Sequence, residues 1–209
     1  MKVLGNIFFL VLLILTVNAR AESLPPVNAI KKVIAAFPGC NINSSSVGPL
    51  YGKNSKDVAS SLYCEADRYE NEKEKSGPYA IAILAEGNNG EYRIAYEERG
   101  NLLGFVAEIK KGSLFLHAGL PGTDGGQTAT SYHYQFRYDG RNMMLIGMET
   151  DSIYVGLEQP TKDQEFHISV NCLTGMVIDS RVSWKPKKMA ELRKVSLEEF
   201  DYERGCRGY

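Results

Sequence analysis

Three histidines are the side chains of this sequence that titrate near neutral pH, so their placement sets what acid–base or metal chemistry is open to it. His133, Gln135, Arg137 and Asp139 alternate with Tyr132, Tyr134, Phe136 and Tyr138, while His167, Ser169 and Asn171 alternate with Phe166, Ile168, Val170 and Cys172. Successive side chains of a strand point to opposite faces, which puts His133 and His167 on the polar faces of two strands. If those strands pair, the two imidazoles approach each other with Asn171 and Asp139 nearby. A metal site would need a third ligand besides. His117 follows Leu114-Phe115-Leu116 on another strand with apolar neighbours. The plain reading of all three is a surface or hydrogen-bonded histidine, and no metal or cofactor is implied.

Other reactive patterns are missing. The sequence holds no G-x-S-x-G elbow, no H-E-x-x-H and no P-loop. Glu97-Glu98 and Glu198-Glu199 are adjacent, and a strand sends such neighbours to opposite faces, the wrong arrangement for shared acid–base work. The segment Gly119-Leu120-Pro121-Gly122-Thr123-Asp124-Gly125-Gly126 has one carboxylate, too few for a calcium loop of the EF-hand kind. It reads as a flexible hairpin loop suited to meeting a partner. The best candidate binding surface is the polar strand face of Arg93, His133, Gln135, Arg137, His167 and Asn171, with Asp124 and Tyr79 on flanking loops. Tyr132, Tyr134 and Tyr138 would be a carbohydrate or peptide platform only if exposed; the charges opposite them argue for core packing.

The elements that must position these residues are mostly strands. Pro25-Pro26 precede Val27, Ile30, Val33, Ile34 and Phe37, whose three- and four-residue steps predict a helix with one apolar face, capped by Asn28 or begun by Pro26 and ended by Pro38-Gly39. Residues 41–57, rich in Ser, Asn and Gly, read as a loop, and Asp57 to Tyr69 as a second short helix before the charged run Asn71–Lys75. From Tyr79 the period changes to two: Tyr92, Ile94 and Tyr96, then Phe105, Ala107 and Ile109, alternate with polar residues. Gly87–Gly90, Arg99-Gly100-Asn101, Lys111-Gly112, Asp139-Gly140 and Thr174-Gly175 supply turns. The expectation is a mainly β, α+β fold, an antiparallel meander sheet or sandwich of about eight or nine strands with a helical N-terminal cap. The tail after Trp184 carries Met189, Leu192 and Val195, suggesting a short helix, and Ser196–Glu199 has capping-box spacing.

At the start, Lys2, the apolar run Ile7–Leu15 and Ala19-Arg20-Ala21 form a secretory signal peptide (1–21) with its cut after Ala21. The run is roughly ten residues, short of the about 20 that span a bilayer. Residues 22–209 then make one domain: a cap over 22–75, a β body over 76–184 and a tail over 185–209. The chain has 24 Lys+Arg and 25 Asp+Glu, and the leader removes Lys2 and Arg20, so nothing favours nucleic acid or an anionic membrane as partner. Four cysteines in an oxidising compartment allow three pairings; Cys40–Cys64 and Cys172–Cys206 are favoured because each closes a loop of a few tens of residues. No C-x-x-C pair is present for zinc or redox work. Asn43-Ser44-Ser45 is a glycosylation sequon, meaningful only in a eukaryotic secretory pathway.

Phe136-Arg137-Tyr138, Leu145-Ile146-Gly147 and Ser169-Val170-Asn171-Cys172-Leu173-Thr174-Gly175 together resemble a loose group of exported bacterial proteins whose strands read F-R-Y, L-I-G and S-x-N-x-L-T-G. That resemblance implies a periplasmic setting and carries no catalytic residue. Ser76-Gly77-Pro78-Tyr79 is similar to the S-G-x-Y loop of periplasmic lysozyme inhibitors. The leading expectation is a periplasmic or secreted, non-catalytic β-protein that binds a protein of the cell envelope as an inhibitor or immunity factor. An envelope hydrolase built on His133 and His167, or a structural envelope component, are the alternatives.

Overall fold

A computed structural model describes residues 24–64, 78–101, 104–121, 128–154, 156, 160–189, 191–202 and 204–207. The expected leader, Asn71–Lys75, Ser76-Gly77 and Asp124 lie outside the described residues. One helix, α1 (Val27–Ala36), precedes β1 (Cys40–Gly48), β2 (Asp57–Cys64), β3 (Tyr79–Glu86), β4 (Tyr92–Asn101), β5 (Val106–Lys110) and β6 (Ser113–Pro121). Then come β7 (Thr128–Tyr138), β8 (Met143–Tyr154), β9 (Phe166–Asn171), β10 (Met176–Asp179) and β11 (Ser183–Lys188). The protein is mainly β. β1 to β4 form a four-stranded sheet and β5 to β11 a seven-stranded one, each strand antiparallel to its sequence neighbour.

Several expectations are corrected. Residues 40–48 and 57–64 are strands, not a loop followed by a helix, and the Arg99–Asn101 turn and the Gly119–Pro121 loop are the ends of β4 and β6. The described residues hold eleven strands: β3 to β11, nine, lie from Tyr79 onward where eight or nine are expected, and β1 and β2 precede them. α1 forms where expected, but its buried line is Ala29, Val33 and Phe37, whereas Val27 and Ile34 are exposed. Pro26 takes the N-cap, and Asn28 instead donates to Gly90 O. Gly39, at φ 80°, turns the chain out of the helix where a Cβ would be strained.

The four-stranded sheet is buried on both faces. Val58, Leu62, Ala80, Ala82 and Leu84 pack under α1, while Ala59, Ile81 and Ile83 join the larger core of the seven-stranded sheet. Burying Val33 and Phe37 contributes about 1.5–3 kcal/mol each to holding the helix down. β5, the edge of the larger sheet, runs against β1 and β2. Its outward amides are met by side chains: Ala107 N–H donates to Ser61 Oγ (2.8 Å) and Ile109 N–H to Ser46 Oγ (2.9 Å). Gly48 permits this approach, since a Cβ there would stand 2.6 Å from Ile109 Cγ2. Asp57, fully buried, braces the β1–β2 connection by accepting from Leu50 N, Tyr51 N, Ser55 Oγ and Glu86 N.

Both disulfides, Cys40–Cys64 and Cys172–Cys206, are formed as favoured. The second holds the tail under the seven-stranded sheet. The described residues between Met189 and Val195 form no helix, and a short 3-10 turn, Leu197–Glu199, follows. Val195 and Leu197 are buried, and Phe200 packs its ring against Phe105, Tyr134 and Phe136. Tyr134 OH donates to Tyr202 O at 2.5 Å.

Candidate functional site

Packing of the tail on one face of the seven-stranded sheet leaves its other face to solvent. In β7, Tyr134 and Phe136 are fully buried on the core side, with Tyr132 and Tyr138 packed beside them. Their alternation sends His133, Gln135 and Arg137 outward. The strand register lines up His117, His133, Glu149 and Ser169 as one row across β6, β7, β8 and β9. His117 Nδ1 lies 2.6 Å from His133 Nδ1, so one ring nitrogen donates to the other and the pair shares a proton. His117 Nε2 is 3.6 Å from Glu108 Oε2, and Ser169 Oγ reaches Glu149 Oε1 at 3.5 Å. A concavity of ≈ 340 Å³ opens here, lined by Phe115, His117, His133, Gln135, Glu149 and Asn171 among others.

His117 is held below the ordinary histidine value. Burial, which disfavours the imidazolium, is the largest cause, and the facing His133 acts in the same direction, while Glu108 opposes both. With one Nδ1 donating to the other, the two Nε2 atoms are left for other partners, Glu108 beside that of His117 among them. Among the described residues, no set of three or more His, Cys, Asp and Glu side chains is placed to hold a metal ion.

His167 belongs to a second group. β8 separates β7 from β9, and the register pairs His133 with Glu149 but His167 with Asp151. Two strand spacings across and two residues along put the Cα atoms of His133 and His167 roughly 12 Å apart. The expected approach of those two imidazoles therefore does not occur. His167 Nδ1 instead donates to Asp151 Oδ1 at 2.6 Å, and its ring stacks on Trp184 with centroids 5.8 Å apart. A second concavity, of ≈ 410 Å³, adjoins this group.

The remaining expected residues are scattered. Arg137 is exposed on the outer end of β7, and Asn171 lines the first concavity while its Oδ1 accepts from Leu173 N and Thr174 N. Asp139 stays in the β7–β8 turn, accepting from Arg141 N and Asn142 N, away from both histidines. Arg93 is on β4, in the other sheet. Tyr79, at the start of β3, packs edge-on against Tyr63 at 5.6 Å and belongs to that sheet too. Sequence reasoning missed Asp151, Glu149 and Trp184 as neighbours of the histidines. The one available signal was that Glu149 and Asp151 share a strand parity. No protein-family model, curated protein or solved structure matches the chain.

Proposed function

We propose that this chain is a non-catalytic binding protein of the periplasm or cell exterior, an inhibitor or immunity factor that takes a protein partner on the solvent face of its seven-stranded sheet. The observation that carries this reading is the row His117–His133–Glu149–Ser169. It is a polar surface fixed by its own contacts on a sheet whose reverse is packed core. Such a surface loses little freedom on binding, which favours recognition. Each histidine is engaged with one near neighbour, His117 or Asp151, instead of standing in a base–nucleophile pair, so the hydrolase built on His133 and His167 together lacks reach.

The setting rests on the leader expected over 1–21 and agrees with two disulfides. No helix among the described residues is long and apolar enough to cross a membrane. The F-R-Y, L-I-G and S-x-N-x-L-T-G segments that resemble exported proteins fall on β7, β8 and β9 with its following turn, the strands that build the proposed face.

The test is capture from envelope extracts with the disulfide-bonded chain, compared with a Ser169→Arg, Arg137→Glu protein. A single stoichiometric protein held by the wild type and lost by the variant, at unchanged melting temperature, is the expected result. Equal capture by both would remove this face from the proposal.

A further inference from the structure

Trp184 is the sole tryptophan of the chain. It stands on β11, the edge strand of the seven-stranded sheet, and is 68% exposed. A lone exposed apolar side chain needs no explanation. This one is different because its orientation is enforced. The indole runs parallel to the imidazole of His167, at an interplanar angle of 10° with ring centroids 5.8 Å apart. That imidazole is fixed by Asp151 at 2.6 Å, while Ser180 Oγ accepts from His167 N and Ser180 N donates to His167 O. The exposed indole adjoins the ≈ 410 Å³ concavity, whose walls include Asp151, Thr161, Lys162, Glu165 and Ser180. The far wall is itself a fixed turn, with Gln164 N and Glu165 N donating to Thr161 O and Thr161 N to Gln164 Oε1.

A held flat apolar surface ringed by carboxylates, hydroxyls and one ammonium selects for a ligand with a flat C–H face and a rim of hydroxyl groups. A pyranose ring has that shape. Its C–H face stacks on an aromatic ring, and its vicinal hydroxyls donate to carboxylates and accept from an ammonium or hydroxyl. A nucleotide would bring phosphate towards Asp151 and Glu165. A quaternary ammonium wants several rings around it rather than one open face. The geometry points to a saccharide-binding subsite at Trp184, in which one uncharged pyranose ring stacks on the exposed indole and hydrogen-bonds to Glu165, Thr161 and Lys162. This site is separate from the His117–His133 row and does not rest on the proposed protein partner.

Because Trp184 is the sole tryptophan, indole emission reports this site alone. The disulfide-bonded chain is titrated with tetrasaccharides of N-acetylglucosamine, glucose, mannose and galactose. A saturable change in emission with at least one of them is expected, and Glu165→Gln should weaken it severalfold. Calorimetry with that sugar and the Trp184→Ala protein should show affinity reduced about tenfold or more, while Leu173→Ala, an exposed apolar residue in the β9–β10 turn, keeps it. The Ser169→Arg, Arg137→Glu protein should bind the sugar normally, which separates this site from the protein-binding face. No saturable change with any of the four sugars, or an affinity indifferent to Trp184→Ala in a protein of unchanged melting temperature, would overturn the assignment.

Discussion

At the scale of single residues, the facing ring nitrogens of His117 and His133 make stability depend on pH. The groups around His117 are His133, Glu108 and Lys110, with Glu149 opposite His133 on the next strand. Burial first, and His133 second, hold His117 below its usual 6.5. A histidine whose folded value lies below its unfolded one binds its proton more readily in the unfolded chain. Stability is then full above about pH 6.5 and falls as pH drops from there through the folded value. Melting temperatures followed from about pH 8 to about pH 5 should decline over this window, and decline less in His117→Gln. Parallel profiles for the two proteins would place the acid sensitivity elsewhere. The polar character of this site was legible from the alternation around His133, but its partner was not. The histidine facing His133 is set by the β6–β7 register, and a shift of two residues would have put Phe115 or Gly119 there instead.

At the scale of elements, the informative case is the edge of β5. A strand edge carries unpaired amides, and proteins cover, charge or shorten such edges. Here two serine hydroxyls from the face of another sheet do the covering. Replacing Ser61 with Ala leaves Ala107 N–H buried without its acceptor, at a cost of about 1–3 kcal/mol. Urea unfolding should register that loss, and hydrogen exchange should quicken at the Ala107 amide; unchanged exchange would mean that the edge is satisfied another way. This arrangement also explains why 41–57 reads as a loop. Serine is poor at forming apolar faces, so its run carries no strand signal until β5 arrives to use the hydroxyls. β4 fails for a related reason. A register shift opposite Ile83 and Leu84 turns Ile94 towards the α1 side and Tyr96 towards the larger core, so Tyr92, Ile94 and Tyr96 do not share one face as their alternation suggests.

At the scale of the whole molecule, the C-terminal segment is part of the core rather than an appendage. Phe200 packs edge-on against Tyr134 and Phe136 and tilted against Phe105, and Cys206 is fully buried. The Cys172–Cys206 bridge spans 34 residues, which in the chain-entropy treatment stabilises by roughly 3–4 kcal/mol. Changing both cysteines to serine should lower stability by about that amount and open the tail to trypsin at Lys187, Lys188 and Arg193. A variant as resistant to trypsin as the wild type would show that packing alone holds the tail. The outer face should suffer least, because its row is held by contacts within β6 to β9.

What the sequence determined by itself was local and periodic. The alternation of Tyr132–Tyr138 and of Phe166–Cys172 assigned strands and told their inner from their outer faces, Lys111-Gly112 marked a two-residue turn, and loop lengths favoured the disulfide pairing. These properties depend on neighbours a few residues away, or on counting along the chain. Tertiary structure alone decided which strands lie side by side, and with that the splitting of the histidines into a His117–His133 pair and a His167–Asp151–Trp184 group. It also decided that a serine run is a strand and that an edge tryptophan has a fixed imidazole beside it. Those outcomes depend on register and on contacts between residues distant in sequence, where a slip of one pair exchanges every neighbour while leaving the local pattern intact.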